Sequence, residues 1–171
     1  SPSILNFDYV CDSTCGGYDS GHNWANTFIQ KYKNIYGEEP PVDYWAIDNY
    51  PIRWDANDPV TDNASILKSD LTAFREFLDS NPGQAGKPIV ITELGIHWVF
   101  NSVTFENGDC SVWYPSGGYA EERVEAYFAD VFTWLEENAT SLNIREWFVF
   151  PIWRDLQGCH ADSGYGMSMF E

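Results

Sequence analysis

The stretch Lys87-Pro-Ile-Val-Ile-Thr-Glu-Leu-Gly95 decides the reading of this chain. From Pro88 to Leu94 it is almost continuously apolar until Thr92 and Glu93. A run of that length, rich in β-branched residues, predicts a parallel strand buried on both faces. Its carboxylate is the anomaly. Taking an ion out of water near a buried strand costs several kcal/mol unless it is paired, so a purely structural Glu93 is an expensive explanation. At the carboxyl end of the strand it points toward the mouth of the sheet, where it can act as nucleophile on an anomeric carbon or as general acid or base. The alternative is a glutamate that caps the N–H groups of a neighbouring loop.

Working outward, the patterns alternate between strand and helix. Ile4 to Val10 and Tyr44 to Tyr50 read as strands before this one, and Ile144 to Trp153 as a strand after it. Helix periodicity places Trp24, Phe28, Tyr32 and Ile35 on one face, with Ser20 as a start and Gly37 as a stop. A second helix is expected over Ala64 to Ser80, with Leu67, Leu71, Phe74 and Leu78 in line, ended by Asn81-Pro82-Gly83. A third is expected from Tyr119 to Asn138, on Val124, Tyr127, Val131, Phe132 and Leu135. Gly95 to Gly118 reads as a long loop, and Asp155 to Glu171 as a tail without helix pattern. The order is β-α-β-α-β-α-β, an α/β fold of parallel strands joined by right-handed crossover helices. Connections are short after helices and long after strands, and α/β proteins place their sites in such long loops. No Gly-rich phosphate fingerprint follows any strand, and no internal repeat divides the chain, so residues 1–171 are expected to form a single domain.

Composition narrows the partners. The chain has 171 residues, 44% of them hydrophobic, which suits one packed core. Its 9 Lys and Arg face 26 Asp and Glu, for a formal charge of −17. Nucleic acid and anionic membrane both require excess positive charge and are not expected as partners. No apolar run is long enough to span a bilayer. The 8 Trp, 10 Tyr and 11 Phe make an aromatic-rich chain, and indole and phenol faces suit the C–H faces of sugar rings. The balance fits a neutral, polyhydroxylated ligand. No Gly-x-Ser-x-Gly elbow occurs, no cysteine spacing matches a zinc ribbon, and neither metal nor cofactor is implied.

Four cysteines occur. The spacing predicts two disulfides, Cys11–Cys15 and Cys110–Cys159, hence an oxidising compartment and a secreted or extracellular protein; four buried free thiols are the alternative. No signal peptide is visible in the sequence. Asn63-Ala-Ser65 and Asn138-Ala-Thr140 fit the N-glycosylation pattern.

The strand ends bring further candidates. Asp8, Asp48, Asn49, Tyr50, Trp153, Arg154 and Asp155 all fall there. Asp48 and Tyr50 alternate with Asn49, so only one set can point inward. Tyr50 is placed to hydrogen-bond Glu93 and hold its orientation, or else packs as a phenol under a loop. Trp153 is a stacking floor for a sugar or a core residue. Arg154 pairs with Asp155, Asp48 or Glu93, or is a solvated ion pair. His22 and His97 read as loop hydrogen-bonders on the same side.

These residues carry a resemblance. Lys87 to Gly95 resembles the seventh strand of retaining glycoside hydrolases with a (β/α)8 barrel, in the large clan with a Glu acid/base and a Glu nucleophile. Asp43-Tyr-Trp-Ala-Ile-Asp-Asn-Tyr-Pro51 resembles the sixth strand, and Pro40-Pro41 with the Phe28 to Gly37 helix fits before it. Arg145-Glu-Trp-Phe148 resembles the eighth, and Gly166-Met-Ser-Met-Phe170 the segment after it. The resemblance implies that Glu93 is the nucleophile and that Tyr50, Asn49, Asp48, Trp153 and Trp147 bind substrate. It also implies half of a TIM barrel, strands five to eight. The clan's acid/base Glu sits in an Asn-Glu-Pro motif after strand four. No such motif occurs here, and Asp48 stands where strand six usually has His. The chain alone is therefore expected to be weakly active or inactive, or to be a non-catalytic carbohydrate-binding or structural remnant. Four strands with an open inner face and open edges invite closure, so a homodimer or a missing N-terminal half barrel is the expected protein partner.

Overall fold

A computed structural model gives the fold and describes residues 2–7, 21–51, 62–96, 100–103, 110–113 and 121–150. In chain order these form β1 (Ser3–Leu5), α1 (Gly21–Tyr36), β2 (Trp45–Asn49), α2 (Ala64–Ser80), β3 (Ile89–Leu94), β4 (Phe100–Val103), β5 (Cys110–Trp113), α3 (Glu121–Asn138) and β6 (Ile144–Val149). A four-stranded sheet runs β1-β2-β3-β6, with every neighbouring pair parallel. The fold class is α/β, as expected, with the arrangement of half a (β/α)8 barrel.

Spatial order follows chain order, and a helix intervenes at every step. Right-handed crossovers that all step the same way leave their helices on one face of the sheet. One apolar cluster bears this out. It joins Ile4, Trp45, Ile47, Ile89, Ile91, Leu94 and Ile144 of the sheet to residues of all three helices, among them Ala25, Ile29, Leu67, Phe74, Val131 and Leu135. The opposite face is open. Leu5, Tyr44 and Phe148 are 46%, 42% and 52% exposed there.

Local chemistry sets the helix ends. The Asn63 Oδ1 accepts from the Ser65 N–H at 3.0 Å and starts α2. Helix α1 stops at Gly37, whose φ of +74° suits glycine and whose N–H reaches the Lys33 carbonyl at 2.8 Å. Gly21 opens α1 hard against the end of β1. A methyl group there would sit 2.5 Å from the Asn6 carbonyl oxygen.

Irregularities of register shape the open face. Between β2 and β3, Ile47 pairs with Ile91 but Asp48 pairs with Glu93, so Thr92 is an extra residue. Thr92 and Glu93 are consequently both half-buried, and Leu94 returns to the core. Between β3 and β6, Ile89 pairs with Ile144 and Val90 with Glu146, which leaves Arg145 as the extra residue.

One correction concerns Gly95 to Gly118, expected as a long loop. It contains the antiparallel pair β4–β5, with Phe100 opposite Trp113 and Val103 opposite Cys110. Pairing satisfies backbone groups that a long excursion leaves to solvent. The first and last strands of the sheet run Ser3–Leu5 and Ile144–Val149; their expected ends, Val10 and Trp153, lie outside the described residues. Ser20, both sides of the Cys11–Cys15 pairing, Cys159 and the C-terminal tail lie outside the described residues, as does the side chain of Cys110. Among the described residues no helix is long and apolar enough to cross a membrane.

Candidate functional site

The site lies where β2 and β3 end. Glu93 stands on the open face, one residue before β3 closes, turned there by the extra Thr92. The Tyr50 hydroxyl donates to Glu93 Oε2. Tyr50 is itself 4% exposed, so the phenol holds the carboxylate from a buried position.

Asp48 is the register partner of Glu93 on β2. The Thr92 hydroxyl lies 2.7 Å from Asp48 Oδ1 and 3.3 Å from the Ile47 carbonyl oxygen. Burial pushes the Asp48 carboxyl above the usual carboxylate range, and the negative Glu93 beside it adds to this, against the Thr92 hydrogen bond. Two carboxyls thus share one level of the sheet, one oriented by a phenol and the other holding its proton more tightly than usual.

The support for Tyr50 comes from Asn6, the residue that follows β1. The Asn6 amide donates to the Tyr50 carbonyl at 2.6 Å, and the Tyr50 N–H donates to Asn6 Oδ1 at 3.3 Å. Asn6 takes φ of +35°, a left-handed value that Asn tolerates better than most residues. Past Glu93, the buried Tyr127 hydroxyl of α3 donates to the Gly95 carbonyl at 3.1 Å and pins the chain leaving β3.

The expected binding residues divide between the two faces. Asp48 and Tyr50 come together with Glu93. Asn49 does not join them. It is fully buried on the helix side, where its amide donates to Asp70 Oδ2 at 2.9 Å. Asp70 also accepts the Phe7 N–H at 2.8 Å, so it ties the chain leaving β1 to β2 and α2. Trp147 packs partly buried against the core, away from the open face. His22 sits in the first turn of α1 with its ring 5.0 Å from that of Phe7 and 5.1 Å from that of Phe77. Trp153, Arg154, Asp155, Asp8 and His97 lie outside the described residues. Asn6, Asp70 and Thr92 went unread in the sequence. For Thr92 the signal was the polar pair Thr-Glu in an apolar run.

Below the site, the open face forms a concavity of about 470 Å³ lined by Tyr44, Val90, Thr92, Arg145, Glu146 and Phe148. Thr92 joins it to the carboxyls. Among the described residues no group of three His, Cys, Asp or Glu is placed to hold a metal ion. No protein-family model matches the chain, and neither does any curated protein or solved structure.

Proposed function

We propose that this chain is half of a retaining glycosidase barrel, with Glu93 as the nucleophile toward the O-glycosidic bonds of a neutral oligo- or polysaccharide. The observation that carries the reading is a carboxylate at the mouth of a singly wound parallel sheet, on the open face, with a buried phenol donating to it. Such a group attacks an anomeric carbon with little reorganisation, because Tyr50 already sets its direction. The Glu93 oxygen bonds to the anomeric carbon, and the glycosidic C–O bond breaks with its electron pair leaving on the aglycone oxygen. Water then hydrolyses the glycosyl ester and frees Glu93.

The departing oxygen needs a proton from the far side of the sugar ring. A retaining pair spans about 5–5.5 Å across the bond. In the barrel this reading implies, that acid stands on the opposite wall, which a second copy of this chain or an N-terminal half barrel would supply. The chain alone is thus weakly active or inactive toward natural glycosides. A binding role without turnover is the second reading, favoured by Tyr44 and Phe148, which offer exposed rings on the concave face.

An activated 2-deoxy-2-fluoroglycoside tests the first reading, because its leaving group departs without acid help. Incubation of the chain with a panel of such sugars should add one glycosyl mass to the peptide containing Glu93, and Glu93→Gln should abolish it. Calorimetry with neutral oligosaccharides tests the second. If no sugar labels Glu93 and none binds, both readings are lost.

A further inference from the structure

Asp48 and Glu93 face each other across neighbouring strands, and their Cα atoms are register partners. Neighbouring strands run about 4.8 Å apart. The extra Thr92 is what makes them neighbours on one face, since strict alternation along β3 would set Glu93 and Thr92 on opposite faces. The negative charge of Glu93 opposes ionisation of Asp48 beside it.

Their hydroxyl partners differ. The Tyr50 hydroxyl has Glu93 Oε2 as its acceptor. The hydrogen of the Thr92 hydroxyl has two acceptors in reach, Asp48 Oδ1 at 2.7 Å and the Ile47 carbonyl at 3.3 Å. When Asp48 is ionised, Thr92 donates to it. When Asp48 is protonated, its own O–H takes the 2.7 Å line and Thr92 turns its hydrogen to the Ile47 carbonyl. Both protonation states of Asp48 are therefore satisfied by one rotation of the Thr92 hydroxyl, while the buried Tyr50 phenol donates to Glu93 Oε2.

We propose that Asp48 is a positioning residue that holds, through Thr92, the single proton of an Asp48–Glu93 carboxyl pair and so leaves Glu93 free to attack. This deepens the reading of the site given above and rests on it for its chemical use. Asp48 is not the acid/base of that reaction. It stands beside Glu93, and the leaving oxygen departs from the opposite face of the sugar. The groups around Asp48 agree with this assignment. On β1 its register partner is the apolar Leu5, and β3 brings Thr92 and Glu93. Tyr50 follows on its own strand's end. Arg145 and Glu146, of opposite charge, lie beyond β3 on β6, and Asp43 stands before the start of β2. The raised proton affinity of Asp48 has burial as its first cause and the charge of Glu93 as a further one.

Carboxyl carbon NMR of the full chain across pH tests the proposal with no sugar present. In the unmodified chain the Asp48 signal should titrate above an ordinary aspartate. In Glu93→Gln the Asp48 midpoint should move down, since the charge that opposes its ionisation is lost. In Thr92→Val it should move up, since a donor to the charged form is lost. An Asp48 curve with an ordinary midpoint overturns the pair, and so does a midpoint that Glu93→Gln leaves in place. Because the unmodified chain carries the first result, a variant that fails to fold does not remove the test. Failure of sugar labelling with a coupled titration condemns the glycosidase reading alone. Labelling without coupling condemns the pair alone.

Discussion

The Asn6 side chain closes both hydrogen-bonding groups of the Tyr50 peptide, donating to its carbonyl at 2.6 Å and accepting its N–H at 3.3 Å. A side-chain amide thus continues the β1–β2 ladder one rung past the last backbone pair, and that rung carries the phenol that aims Glu93. Asn6→Ala leaves a buried carbonyl and N–H without these partners. The expected loss is about 1–3 kcal/mol, read as a lower urea midpoint at unchanged slope. An unchanged midpoint would show that solvent replaces the amide at no cost.

Tyr50→Phe removes only the hydroxyl. The fold should survive, with a stability change of about 1 kcal/mol or less. The rate of Glu93 labelling by a 2-fluoroglycoside should drop on the order of tenfold or more, as expected for an oriented group set loose. Equal labelling rates would mean that Glu93 needs no such guide.

The core makes a harsher prediction. Phe74 is fully buried, with its ring 5.1 Å from that of Phe7 and 6.0 Å from that of Trp45. Phe74→Ala should cost about 3–5 kcal/mol, enough to unfold much of a domain of ordinary stability. A thermal midpoint close to that of the parent chain would place Phe74 in a site that collapses freely.

Stability should depend on pH with two opposing signs. Asp48 binds its proton more tightly folded than unfolded. Its protonated form therefore contributes stability that is complete below the unfolded value, about 3.9, and is lost as pH rises through the raised folded value. Asp62 is the reverse case: the hydrogen bond from Arg123, 2.7 Å away, holds its carboxyl below the usual range. Its contribution is complete above the unfolded value and is lost as pH falls through the lowered one. This pair is partly exposed and worth about 1 kcal/mol at most. Denaturant melts across pH should show Asp48→Asn removing the loss on the alkaline side and Asp62→Asn reducing the loss on the acid side. Exchanged effects would refute both assignments.

An open apolar face of this kind invites association. Phe148 and Leu5 are about half exposed, on the two outer strands of the sheet. Light scattering at micromolar concentration should find a dimer, and Phe148→Glu should shift it toward monomer. A stable, well-folded monomer would argue that closure with a second copy is not how this sheet is completed.

Much of the frame is legible in the residues. Helix α2 begins at Ala64 and ends at Ser80 as its Leu67-Leu71-Phe74-Leu78 spacing implies, because a capped amphipathic helix declares both its face and its ends. The apolar run before Glu93 likewise declares a strand covered by helices. The strands β4 and β5 escape notice because four residues are too few for a period to emerge, although Asn107-Gly108 between them is a hairpin signal. At the site, alternation correctly separates Asn49 from Asp48 and Tyr50, yet it cannot say which set faces the helices. The inserted Thr92 breaks the very rule that such reading relies on. Asn6 is illegible for another reason: its partner is a peptide 44 residues away, and backbone groups leave no mark in a sequence.

Each strand of the main sheet lies beside the one that precedes it in the chain, apart from the hairpin between β3 and α3, so every pairing closes over one crossover, as Ser3 with Ala46 and Ile47 with Ile91 do. Parallel pairing of this kind forms more slowly than a hairpin but can proceed in chain order. A ribosome releasing this polypeptide can therefore hand over finished layers one at a time, and β2, carrying Asp48, is laid down before Glu93 has been translated.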